Sequence, residues 1–91
     1  MVYINVRHTC TDYATWRTIF DGDETRRHAA GATGVKHVFR DVDDPNTVTV
    51  IIEWDNEDNA RKFMNDPALK EKMQESGVIG MPAVRTLLSQ A

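Results

Sequence analysis

Three histidines, His8, His28 and His37, are the side chains of this sequence that can exchange a proton near neutrality. His37 alternates with Val35 and Phe39, and His8 closes the row Val2, Ile4, Val6, so both sit in apolar patterns. A neutral imidazole in such a place can act as a general base or orient a phenol. It can equally be a core histidine satisfied by one hydrogen bond. His37 and His8 are therefore the candidate catalytic residues. Trp16, Trp54 and Phe63 are candidate substrate-binding residues, able to line a flat pocket for an aromatic ligand, although aromatics at helical or strand spacing also build plain cores. His28, late in a helix, suits a structural role against the C-terminal dipole.

Other chemistries lack their residues. There is no H-x-H pair, H-E-x-x-H run or cysteine cluster, so no metal site is expected. The acidic stretch Asp41-Val42-Asp43-Asp44 fails as a calcium loop, because Asn46 and Ile52 stand where such a loop needs Gly and Glu. Asp44-Pro45-Asn46-Thr47 instead has the residues of a β-turn. "GATG" has neither the GxGxxG nor the Walker spacing. Cys10 precedes a helix N-terminus, which can lower a thiol pKa, but a lone feature of that kind is not a nucleophile motif.

Ninety-one residues, 41% hydrophobic and 27% charged, fit one globular domain spanning residues 1–91. A net charge of −3 and a pI near 5.5 argue against nucleic-acid binding. One cysteine cannot make an internal disulfide, which fits a reducing compartment. No apolar run is long enough to span a membrane, and "MVYINVRHTC" lacks the order of a signal peptide. A cytoplasmic protein is expected.

The elements that must position these residues follow from periodicity. Val2 to His8 alternates as a strand. Thr11-Asp12 caps a helix over Tyr13–Ala30, with Gly22 as a point of weakness and Gly31 as a stop. Strands are expected over Val35–Val42 and Thr47–Trp54. Pairing Phe39 with Val50 or Ile52 would put Val35, His37 and Phe39 on one face with Val48, Val50, Ile52 and Trp54. Lys36, Val38 and Arg40 would then lie on the other. Asp55 or Asn56 caps a helix carrying Ala60, Phe63 and Met64, and Asp66-Pro67 restarts it through Leu69 and Met73 to Gly77. Pro82 opens a last strand, Ala83–Leu88. The order β-α-β-β-α-β makes the chain α+β, a ferredoxin-like antiparallel sheet with helices on one face. A second protomer is expected to cover the other face, giving a homodimer.

With the hairpin placed, "DDPNTVTVIIEWDNEDNARKFMNDPALKEKMQESGVIGMP" resembles the dimeric α+β barrel superfamily, in particular the small antibiotic-biosynthesis-monooxygenase-like and cyclase-like proteins. "DYATWRTIFD" and "AAGATGVKHVFR" extend the resemblance over nearly the whole chain. The resemblance implies two sheets packed face to face across a dimer, with a ligand pocket between each sheet and its helices. It also implies a test for haem degradation, in which Asn5 matches but Phe63 and Met73 stand in place of the expected Trp and His. No haem, and no other cofactor, is expected. Two readings stay open. One is a homodimeric small-molecule protein of the cofactor-independent monooxygenase or polyketide-cyclase type, acting on an aromatic or polyketide-like substrate. The other is a non-catalytic dimeric binding or interaction module.

Overall fold

The computed structural model describes residues 1–80 and 85–91 in full, and of residues 81–84 only that a strand runs through them. The chain runs β1 (Val2–Cys10), α1 (Tyr13–Gly22), α2 (Glu24–Ala30), β2 (Ala32–Arg40), β3 (Thr47–Trp54), α3 (Glu57–Met64), α4 (Pro67–Glu75) and β4 (Val78–Ser89). The four strands form one antiparallel sheet in the order β2-β3-β1-β4. This is the ferredoxin-like α+β arrangement expected from the sequence.

Caps explain where the helices begin and end. The Asp12 carboxylate accepts from the Thr15 amide at 3.0 Å, Asn56 from Asn59 at 2.8 Å, and Asp66 from Ala68 at 2.9 Å. Pro67 opens α4, where its missing N–H loses nothing. The expected weak point at Gly22 is a real break, with α1 ending there and α2 restarting after Asp23. Gly31 ends α2 at φ +119°, and a Cβ on it would meet the Asp55 carboxylate at 2.7 Å, so this turn needs glycine on two counts. β4 starts at Val78, earlier than Ala83; Pro82 lies outside the described residues.

The central strands pair Ile4 with Ile52, Val6 with Val50 and His8 with Val48, all facing the helices. Trp16, Ala60 and Phe63 complete the core against Trp54, Val48 and Val50. The β2–β3 register differs from the expected one. Val38 lies opposite Val50, Lys36 opposite Ile52 and Arg40 opposite Val48. His37 and Phe39 therefore share the helix-free face with Ile51 and Thr49, Arg40 lies on the helix side, and Val35 falls in the irregular stretch between Ala32 and Lys36. The turn itself is as expected: the Thr47 amide donates to the Asp44 carbonyl at 2.9 Å and the Asn46 amide to the Asp44 carboxylate at 3.1 Å. It does not close the hairpin, however. The last cross-strand bond runs from the Asp41 amide to the Thr47 carbonyl at 2.9 Å, so Val42 to Asp44 lengthen the loop and shift the pairing.

Candidate functional site

A cavity of about 70 Å3 lies between the helices and the sheet. Ile4 and Val6 of β1 and Val50 and Ile52 of β3 form its sheet side. These four are alternate residues on adjacent strands, so their side chains leave the sheet together. Trp16, Ile19 and Phe20 of α1 face them one helical turn apart, with Phe63 of α3 and Leu69 and Met73 of α4 beside them. Trp16 and Phe20 stack at 4.9 Å between ring centroids. The wall is flat, aromatic and largely apolar.

The space is small. An apolar cavity of about 150 Å3 accepts a benzene molecule, so a whole ring needs α4 to shift outward. No residue of α4 is fully buried, although Leu69 and Met73 pack against the core, so its displacement uncovers those two contacts.

Four polar residues reach the rim: Asp23, Arg27, Lys72 and Ser76. Asp23 is held by the Arg26 guanidinium through two bonds of 2.8 Å. The Ser76 hydroxyl donates to the Met73 carbonyl at 2.9 Å. Arg27 is 4% exposed, with its guanidinium carbon 3.9 Å from the Phe20 ring centroid and one terminal nitrogen donating to the Phe20 carbonyl at 2.8 Å. The other terminal nitrogen is buried with no partner among the described residues. Burial pushes the Arg27 pKa below its ordinary value.

The candidates from the sequence fall in different places. Trp16 and Phe63 line the cavity. Trp54 does not reach it: the ring is fully buried behind Phe63, at 4.8 Å between centroids, as part of the core. His8 lies beside the wall, its ring 5.2 Å from Trp16, buried, with neither nitrogen partnered among the described residues. Burial pulls its pKa down to about 4, so it is neutral at pH 7. His37 is exposed on the opposite face, stacked near Phe39 at 6.3 Å, and takes no part in the cavity. Cys10 is buried with its thiol pushed up by burial, and its Sγ donates to the Asn46 carbonyl at 3.3 Å. It is an inert core thiol. Among the described residues, no group of three or more His, Cys, Asp or Glu side chains converges on a metal-sized site.

Sequence reasoning missed Arg27. The pair Arg26-Arg27 stands out as the densest basic spot, and Arg27 follows Phe20 by two helical turns and Trp16 by three. That phase was the available signal; the break at Asp23 between α1 and α2 obscured it.

Residues 5–84 match the family described as Domain of unknown function (DUF3764). The chain belongs to that family. No curated protein matches the chain in sequence. Its fold is shared with a candidate antibiotic biosynthesis monooxygenase from Bordetella bronchiseptica, at TM-score 0.79 and 14% identity over 99% of this chain and 96% of that one. It is also shared with a mutant of SnoaB, a cofactor-independent oxygenase from Streptomyces nogalater, at TM-score 0.74 and 16% identity over 98% and 91%. A candidate antibiotic biosynthesis monooxygenase from Deinococcus radiodurans superposes at TM-score 0.69 and 13% identity over 100% and 93%. The antibiotic-biosynthesis-monooxygenase-like fold seen in the sequence is therefore the fold of this chain. No helix among the described residues is long and apolar enough to cross a membrane.

Proposed function

We propose that the protein binds a small aromatic molecule in the cavity between its helices and its sheet, and does so as a cytoplasmic homodimer of one-domain chains. The observation that carries this reading is the cavity wall, where Trp16, Phe20 and Phe63 face apolar strands around a buried cation. A close-packed core leaves few spaces of this kind, and fewer beside a guanidinium that is not fully paired. The fold shared with a cofactor-independent oxygenase supports chemistry of the monooxygenase or polyketide-cyclase type. Such chemistry would rest on orientation and water exclusion, with His8, behind Trp16, as the imidazole beside the wall.

A non-catalytic binding module is the second reading, and His8 itself favours it. A pKa near 4 makes a weak base at neutral pH, and the ring stands behind Trp16 instead of on the cavity wall. In both readings a ligand occupies the same space.

A thermal-shift screen with phenols, naphthols and quinones tests the binding. The expected result is a rise in Tm of a few degrees with one-ring or two-ring compounds at saturating concentration, since 100 Kd of ligand stabilises by about 2.7 kcal/mol. The reading fails if no such compound raises Tm at millimolar concentration.

A further inference from the structure

We propose that Arg27 anchors the ligand of the helix–sheet cavity, and that this ligand is a one-ring aromatic acid whose carboxylate meets the guanidinium. The inference rests on the small-molecule reading above and names the chemical class that the cavity selects.

Arg27 is a cation without a carboxylate. The three acids closest to it along the chain are engaged by other side chains: Asp21 by Arg17 at 3.0 Å, Asp23 by Arg26 at 2.8 Å and Glu24 by Lys36 at 2.7 Å. Arg27 itself makes no salt bridge among the described residues, although it is 96% buried, the complement of its 4% exposure. One terminal nitrogen is spent on the Phe20 carbonyl and the other is left unpaired. A buried guanidinium with an idle donor is a cost to the fold, and a hydrophobic side chain of similar length would pack there without it. The cost is explained if a bound anion supplies the missing acceptor.

The surroundings specify which anion. The guanidinium carbon lies 3.9 Å from the Phe20 ring centroid, and a planar fork matches a planar carboxylate better than a point acceptor. Lys72 also reaches this rim, paired with Glu75 at 3.6 Å, and the Asp23 carboxylate there is offset by Arg26. Beyond the rim the wall is Trp16, Phe63 and the strand valines and isoleucines, which take an aromatic ring and offer a neutral amide or hydroxyl little. At about 70 Å3 the space takes one ring only with α4 shifted outward, and a second ring would need a larger shift.

The test compares 4-fluorobenzoate with its neutral isostere 4-fluorobenzamide, binding followed by fluorine NMR on the full chain at pH 7. The wild type is expected to hold the acid at least about tenfold tighter than the amide. In Arg27→Met that ratio should fall to about one with the amide unaffected, and Arg27→Lys should fall between. Equal affinities in the wild type overturn the anionic ligand and leave a neutral aromatic pocket standing. A preference that survives Arg27→Met, or that vanishes only in Lys72→Met, overturns Arg27 as the anchor. If neither compound binds while a phenol, naphthol or quinone raises Tm, this inference falls and the small-molecule reading stands; if nothing binds in either experiment, both fall. Should Arg27→Met not fold, the wild-type ratio and the Arg27→Lys and Lys72→Met ratios still decide.

Discussion

His8 shows how a single side chain carries a reading from sequence into thermodynamics. The alternation Val2-Ile4-Val6-His8 placed it on the helix-facing row, and it is there, buried against Trp16. Its folded pKa of about 4 lies below the ordinary value of 6.5. Above pH 6.5 both the folded and the unfolded imidazole are neutral, and the group has no pH-dependent effect. As pH falls from 6.5 to 4 the unfolded chain takes up a proton that the folded chain refuses, so stability drops. The drop amounts to roughly 3 kcal/mol for a shift of this size. Below pH 4 both states are protonated and the contribution levels off. Asp12, Asp41 and Glu24, whose pKa values are lowered by hydrogen bonds from Thr15, Arg7 and Lys36, weaken the fold at still lower pH. Urea unfolding at a series of pH values should show that His8→Phe removes the slope between pH 6.5 and 4 and leaves stability at pH 7 equal or higher. An unchanged slope in the variant would place the loss elsewhere.

At the scale of elements, caps were legible and one register was not. Asp12, Asn56 and Asp66-Pro67 announce helix starts because a short acceptor just before an amphipathic run has few other uses. β1 and β3 were legible because their alternation is strict and one face is buried. β2 is an edge strand with Val35 and Phe39 on one parity and Val38 on the other, so burial does not choose between them. Arg7 chelates Asp41 at 2.8 and 2.6 Å, fixing the end of β2 from across the sheet, and a contact so distant in sequence has no local signature. This register moves His37 off the cavity side. It also enriches the helix-free face, where Phe39 is 55% and Leu88 42% exposed beside Ile51 and Tyr3. A second copy of that face is the cover we propose, burying on the order of 1,000 Å2 or more in total. Ile51→Asp puts a charge at the middle of it. Light scattering should then read a dimer for the wild type and a monomer for the variant at micromolar concentration; a monomeric wild type would remove the dimer from the account.

For the whole molecule, the order of elements and the layer arrangement followed from periodicity alone, while the cavity did not. Its existence depends on how far α1 and α4 stand from the sheet, a distance that no local pattern encodes. Its polar group comes from the far side of the break between α1 and α2. The central claim is that ligands enter between the helices and the sheet, and the two tryptophans of the chain divide the possibilities. Trp16 lines the cavity and Trp54 sits behind Phe63, away from it. Titration of nitrogen-labelled protein with 4-fluorobenzoate, or with the best compound of the thermal-shift screen, should move the Trp16 indole N–H resonance saturably. The Trp54 indole should move much less, and the His37 ring on the opposite face should not move. Saturable shifts at His37, Phe39 and Ile51 with a stationary Trp16 would contradict the account and put the binding surface on the helix-free face of the sheet.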